Sequence, residues 1–440
     1  MKSTSVVILA AGMSSRMKST TPKILHKIAA KPIINYVIDT AIGINPAQII
    51  TVVGKNSQTI IDLVTNYYPN MQICVQHNQQ GTADAVKSAT INQATENVII
   101  LYGDTPLISS STINLMLAKL DKSPLVMLGF RTGSPAEYGR FITEGTTLKA
   151  IVEYKEATNE QLNINLCNAG IMAVKTKILT QFIGDIKNNN SKGEYYLTDL
   201  VELVTKNNLH ASFIEVFEQE VLGINTKEEL SQCEAIMQNK LRAFHLQNGV
   251  TLIDPASVIF SEDTIIEADS VIHPFVVFGP KVKIDSNVEI KSFSHLENCH
   301  IMQHAIIGPY ARIRPGTVIE ENVHIGNFVE IKNSEIKSGA KINHLSYVGD
   351  AIIGAKTNIG AGTITCNYDG FSKHKTIIGE NVFIGSNTSL IAPINIGDGS
   401  MIAAGSTISK DIPSDALAIE RSEQQIKENL AAIMRKKKQK

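Results

Sequence analysis

A chain of 440 residues is too long for one ordinary hydrophobic core, so two or three domains are expected. With 43% hydrophobic and 19% charged residues it can bury real cores, and no apolar stretch nears the roughly 20 residues of a membrane-spanning helix. A formal net charge of -1 excludes the broad basic field of a nucleic-acid or membrane-surface binder; the one basic run, Arg435 to Lys438, reads as a solvated chain end.

Five scattered cysteines, Cys74, Cys167, Cys233, Cys299 and Cys366, show no CxxC spacing. That argues against a disulfide framework or a structural zinc site, and for a reducing, cytoplasmic setting. The first apolar run, Ser5–Ala11, is short and is followed at once by Arg16 and Lys18, so it reads as a buried strand entering a loop rather than a signal peptide. Further short runs, Ile49–Gly54, Gln72–Val75, Asn97–Tyr102 and Leu125–Phe130, alternate with longer amphipathic stretches as far as about residue 225. This rhythm predicts a Rossmann-like α/β domain with a largely parallel sheet.

Thr226 to Gln247 reads as a helix, with Leu230, Cys233, Ile236, Met237, Leu241 and Phe244 at three- and four-residue intervals. Thr226 and Glu229 have the spacing of a capping box. Residues 226–249 are therefore expected to link a domain over 1–225 to another over 250–440. Beyond Gly249 the period changes to six. Ile307, Ile313, Ile319, Ile325 and Ile331 form one run; Ile378, Ile384, Leu390, Ile396, Ile402 and Ile408 form another. Weaker positions, Ile259, Ile265, Val271 and Val277, precede them. Three sixes make one turn of a triangular coil with an aliphatic side chain inward at each face, which predicts a left-handed parallel β-helix. Such a prism has little room for large rings, in keeping with 5% aromatics and no Trp. The register breaks between Thr365 and Thr376, where Cys366 to His374 is expected to leave one face as a loop. The repeat is expected to stop beyond Pro413, with helix from Glu423.

The segment Leu9-Ala10-Ala11-Gly12 runs on through Arg16-Met17 to Pro22-Lys23. A small-residue turn lets backbone N–H groups approach phosphates while Arg16 and Lys23 supply charge. It is neither the dinucleotide fingerprint nor a P-loop. Its residues and spacing resemble the signature of sugar-nucleotide pyrophosphorylases. Gln76, Gly81-Thr82, Tyr102-Gly103-Asp104, Gly139, Glu153, Asn168 and Asn225 follow in that family's order. An aspartate ending a strand is otherwise a common turn former, so Asp104 gains its weight from its companions. Over the whole chain, from Leu9 to about Arg421, the sequence resembles the bifunctional N-acetylglucosamine-1-phosphate uridyltransferase/glucosamine-1-phosphate N-acetyltransferase family. The resemblance implies that these residues bind UTP and the sugar phosphate, and that Asp104 and Asn225 hold Mg²⁺. It further implies that Arg16 and Lys23 neutralise charge during transfer. Departures occur at Ser14-Ser15, Ala83-Asp84-Ala85 and Thr226-Lys227.

In the second half, Lys341 to Asp350 contains His344 in a stretch similar to that family's acetyltransferase box, and Asn358 to Gly370 is also close. Amine acetylation needs a base, an oxyanion donor and a phosphate anchor. By resemblance His344 is the base, oriented by Glu330. Arg314, Lys332 and Lys373 hold the glucosamine-1-phosphate group, with Tyr347, Asn358 and Asn367 on the sugar. Ala361, Asn367, Tyr368, Ser386, Ala404 and Arg421 line the acetyl-CoA groove. The resemblance also implies a homotrimer through the β-helix. Three rivals stand beside this reading: a single-activity nucleotidyltransferase whose β-helix only assembles or regulates, a zinc hydratase using His295, His300 and His304, and a purely structural trimerisation module.

Overall fold

The computed structural model describes residues 3–12 and 15–438, and the chain divides into two compact units, Met1–Met237 and Gln238–Lys440. The first is built on a nine-stranded sheet. Strands β1 (Thr4–Ala10), β2 (Gln48–Gly54), β3 (Gln72–Gln76), β4 (Asn97–Tyr102) and β5 (Leu125–Arg131) stand where the apolar runs place them. A hairpin, β6 (Arg140–Glu144) and β7 (Thr147–Val152), then β8 (Leu166–Lys175) and β9 (Ala211–Val216), complete the sheet. Every residue of β1 is buried, as a central parallel strand covered on both faces must be.

The spatial order is β3-β2-β1-β4-β8-β5-β9-β7-β6. Strand β1 runs parallel to β2 and β4, whereas β8 runs antiparallel between β4 and β5. The chain moves from β1 out to β3 and then returns to the other side of β1. This reversal opens a crevice at the carboxyl ends of β1 and β4, the place where open α/β sheets bind ligands.

The helix Lys227–Gln247 starts on the capping box that its sequence predicts. Glu229 N donates to Thr226 Oγ1 at 3.1 Å, and Thr226 N donates to Glu229 Oε2 at 2.8 Å. The division between the units falls inside this helix. Its buried face differs from the expected stripe: Phe244 is exposed, while Gln238 and His245 are buried. His245 stacks on Phe260 at 4.6 Å, and Phe260 on Phe278 at 5.2 Å.

The second unit is a left-handed β-helix of three parallel sheets. Both strong isoleucine runs face inward and are buried throughout. Each such side chain contributes about 1.5–3 kcal/mol by leaving water, so the stack carries the unit. The weaker run is shifted by one residue. Phe260, Ile266, Ile272 and Phe278 point inward, while Ile259, Ile265 and Val277 are exposed. Neighbouring aliphatics make both registers plausible by period alone, and a one-residue slip exchanges the faces of a strand. Two phenylalanines therefore occupy the interior that was expected to exclude large rings. They do so at the first coils, where the helix end supplies His245 to stack against them.

The insertion loop is braced rather than loose. Asp369 accepts from the backbone N–H of Phe371 at 2.8 Å and of Ser372 at 2.6 Å, and pairs with His374 Nε2 at 2.6 Å. Past Pro413 one more strand forms, with Leu417 beside Met401 and Ala418 beside Ile402, so the coil outlasts its expected end. The last helix starts at Leu430 rather than Glu423. Residues 422–429 are all exposed and lack an apolar face whose packing would hold a helix. Among the described residues no helix is long and apolar enough to cross a membrane.

Candidate functional sites

The first unit has two adjoining clefts at the β1/β4 crevice, sharing Thr82, Tyr102, Asp104 and Glu194. One is lined by Leu9, Ala10, Ala11, Gly12, Lys23, Gln76 and Gly81. The other is lined by Gly139, Glu153, Asn168 and Asn225. Residues expected to read nucleotide and sugar thus fall in separate, connected spaces. Gly103 lines neither; its N–H donates to Leu9 O at 2.9 Å and ties the two strand ends together. Arg16 is exposed and lines neither cleft. Met13 and Ser14 of the same turn lie outside the described residues.

Lys23 occupies the centre. Its ammonium donates to Asp104 Oδ2 in a short contact and to Asn225 Oδ1 at 2.9 Å. Asn225 is fixed from behind, since its N–H donates to Glu229 Oε2 at 2.6 Å, extending the helix cap. Gln76 is buried and donates to Gly81 O at 3.1 Å and Asp84 Oδ2 at 2.7 Å. Gly81 has φ of 112°, and a Cβ there would stand 2.6 Å from Tyr195 O, so only glycine fits. Burial holds the Glu153 carboxyl above its ordinary range, although Thr198 Oγ1 donates to it at 3.2 Å. Burial likewise raises the Tyr102 phenol, with the Glu153 and Asp104 carboxylates adding to the effect.

In the second unit His344 stands in a column of residues at one corner of the coil. Asn327 pairs with His344 in register, and the following corner positions descend through Ala361, Ser386 and Ala404, each two residues past an inward isoleucine. His344 Nδ1 lies 2.8 Å from Asn327 Oδ1. An amide oxygen can only accept, so Nδ1 is the donor here, and in the neutral ring the lone pair is on Nε2. Glu330, expected to orient His344, instead pairs with Arg314 at 2.7 Å. The reason is register: Glu330 and Arg314 lie on another face, beside Tyr347 and Lys332.

The neighbouring residue of each coil changes character at His344. Above it stand Phe275, Phe293, Tyr310 and Phe328, exposed, stacked 4.9–5.1 Å apart, and all at φ of 56–62°. Below Leu345 come Gly362, Asn387 and Gly405. The aromatic ridge thus gives way to smaller side chains, and Arg421 Nη1 donates to Ala404 O at 2.9 Å.

On the adjoining face, Lys332 presses on Lys373 and lowers its pKa. Two ammonium groups so placed call for an anion. Asn367 Nδ2 donates to Asp350 Oδ2 at 2.5 Å, and Asn333 Nδ2 to Asp350 Oδ1 at 2.6 Å. Burial opposes the Asp350 carboxylate, but these bonds and the lysine charges outweigh it and hold its pKa below the usual value. Tyr347 OH is 3.5 Å from Asn367 Nδ2, while Asn358 sits on the His344 sheet beside Lys341. Tyr368 belongs to the loop, where its hydroxyl donates to Gly370 O at 2.6 Å.

A MobA-like NTP transferase domain matches residues 6–160, and a GMPPB C-terminal domain matches residues 296–394. The bifunctional protein GlmU of Paramagnetospirillum magneticum is 46% identical over 95% of this chain and 94% of its own length. That of Bradyrhizobium diazoefficiens is 48% identical over 99% and 98%. That of Zymomonas mobilis subsp. mobilis is 44% identical over 99% and 98%. The chain belongs to the bifunctional GlmU family. A GlmU chain is thus matched through both of its halves, and each half here holds its own cluster of polar groups.

Three members of the clusters take their places only through the fold. Asn327 precedes His344 by one coil at the same hexapeptide position, a signal visible once the repeat is folded up on paper. Asp350 closes the stretch that resembles the acetyltransferase box, but its bond to Asn367 is a contact of the fold, and Thr198 carries no signal at all, because it acts only through its contact with Glu153.

Proposed function

We propose that this chain makes UDP-N-acetylglucosamine in two steps, acetylating glucosamine-1-phosphate on the β-helix and then uridylylating the product in the first unit. The observation that carries the reading is the presence of two independent polar constellations, Lys23–Asp104–Asn225 and the His344 corner, in one GlmU-family chain. In this reading residues 1–225 perform uridylyl transfer, 226–249 link, and 250–440 perform acetyl transfer.

In the acetyl step the amino group of glucosamine-1-phosphate attacks the thioester carbonyl of acetyl-CoA. A C–N bond forms, the C–S bond breaks and the CoA thiol leaves. His344 Nε2 takes the proton that the ammonium must lose, and Asn327 holds the ring for it. Arg314, Lys332 and Lys373 anchor the sugar phosphate, and the corner of Ala361, Ser386 and Ala404 admits the pantetheine arm because no bulky side chain blocks it. Assembly as a homotrimer is supported by the exposed aromatic ridge, which is the kind of apolar surface that a monomer rarely leaves open.

In the uridylyl step a phosphate oxygen of N-acetylglucosamine-1-phosphate attacks the α-phosphorus of UTP, and pyrophosphate leaves. Glu153 and Asn168 face the sugar, while Gln76 and Gly81 face the base. The Asp104 and Asn225 oxygens converge on one cationic atom, the arrangement a hard divalent cation needs when substrate phosphates and water complete its shell. They would hold Mg²⁺, which supplies charge neutralisation for the triphosphate. The test is to supply glucosamine-1-phosphate, acetyl-CoA, UTP and Mg²⁺ and follow both CoA and pyrophosphate. Release of both in sequence is expected. Pyrophosphate from N-acetylglucosamine-1-phosphate with no CoA from glucosamine-1-phosphate would leave the single-activity alternative.

A further inference from the structure

The metal oxygens of the first unit already have a cation on them, and it belongs to the protein. Lys23 Nζ donates to both Asp104 Oδ2 and Asn225 Oδ1, and its side chain is only 13% exposed. One carboxylate and one neutral amide balance a single positive charge. A bare divalent ion entering between them would meet the Lys23 charge within a few ångströms with only the Asp104 carboxylate in direct contact, since Glu229 is engaged by the Asn225 and Thr226 backbone. At that range, repulsion in a half-buried site far exceeds its value in water.

A triphosphate changes this balance. It arrives along the wall formed by Leu9 to Gly12, which Lys23 shares, and offers the ammonium several anionic oxygens. Lys23 can leave Asp104 and Asn225 for the phosphates at little electrostatic cost, and the vacated oxygens then meet the metal that the same phosphates carry. Asn225 stays in place throughout, because the Glu229 carboxylate holds its backbone.

We infer that Lys23 is a built-in counter-cation that closes the Asp104–Asn225 pair to free divalent metal and yields it only to a metal–nucleotide complex. This rests on the reading of Asp104 and Asn225 as metal-binding groups. It makes metal and nucleotide binding mutually dependent: each raises the affinity for the other by the same factor. Lys23 then has a task before chemistry as well as during it.

The test measures metal alone, with the full-length chain and Mn²⁺ as probe, by the loss of the free-ion electron paramagnetic resonance signal. Wild type should bind Mn²⁺ weakly at the Asp104 site without UTP and much more tightly with it. Lys23→Met should bind Mn²⁺ without UTP about tenfold or more tightly than wild type, the scale set by removing a charge-assisted contact. Adding Asp104→Asn to that variant should abolish the gain. Lys23→Arg, which keeps the cation, should bind Mn²⁺ alone as weakly as wild type. If Lys23→Met fails to reproduce the wild-type circular dichroism, Lys23→Gln takes its place. Equal binding of Mn²⁺ alone by wild type and the neutral variant overturns the proposal, even where UTP still recruits metal through Asp104. If Asp104→Asn leaves UTP-dependent Mn²⁺ binding untouched, the metal reading itself falls and takes the proposal with it.

Discussion

His344 and Asn327 occupy the same corner of successive coils, with Nδ1 and Oδ1 2.8 Å apart. The bond fixes the ring tautomer and turns the basic nitrogen to the outside, so the two residues act as one unit. Asn327→Ala should lower kcat for acetyl transfer about tenfold while KM for acetyl-CoA and glucosamine-1-phosphate changes little, since a net hydrogen bond of this kind is worth about 1 kcal/mol or somewhat more. A rise in both KM values with kcat intact would mean that Asn327 supports the groove instead.

Removing the base itself should cost more. General-base assistance is worth about 10² to 10⁴ in rate, so His344→Ala should lose acetyl transfer on that scale. His344 is exposed and lies outside the inward isoleucine stack, so the coil should keep its fold. Steady-state assays of both half-reactions beside circular dichroism check this; near-normal acetyl transfer in a folded variant would remove His344 from the mechanism.

Asp104→Asn should abolish uridylyl transfer, by roughly 10² or more, because it removes a charge from where the triphosphate must be neutralised. Acetyl transfer should be unchanged, since Asp104 belongs to the first unit and His344 to the second. Parallel loss of both activities would indicate a folding defect.

How far these residues were legible in the sequence depends on what positions them. Period alone located the inward isoleucines of the strong runs, because each hexapeptide repeats one local environment. It misplaced the first coils by one residue, where Ile259–Phe260 and Val277–Phe278 offer two apolar neighbours. The motif around Leu9–Lys23 marked Lys23 as a cation facing phosphates, yet nothing in it foretold a direct contact with Asp104, and Asn225 reaches Asp104 only through the fold, where Ile224 N donates to Asp104 O at 3.0 Å. Glu330 was assigned to His344 by resemblance, and the coil register puts it beside Arg314 instead.

His245 makes a prediction about acid stability. It is buried between rings, and neither ring nitrogen has a partner among the described residues. Burial lowers its pKa from 6.5 to about 4 in the fold. The unfolded chain therefore takes up this proton first as pH falls. The stability in question is fully present above about pH 6.5 and is lost progressively down to about pH 4, by roughly 3 kcal/mol in all. His245→Phe keeps the stack on Phe260 and removes the proton uptake. Melting temperatures recorded from pH 7 to pH 4 should converge less steeply for the variant; identical slopes would show that His245 finds a partner for its proton in the fold.

In the proposed reading one chain carries two separable active sites joined by a diffusible intermediate, and mixing variants tests this most directly. His344→Ala and Asp104→Asn are each supplied alone with glucosamine-1-phosphate, acetyl-CoA, UTP and Mg²⁺, and then combined in one vessel. Neither should make UDP-N-acetylglucosamine at more than a small fraction of the wild-type rate, and the mixture should make it readily, because each variant performs the step that the other has lost. A mixture that stays as inactive as its components, although both variants fold, would contradict the account.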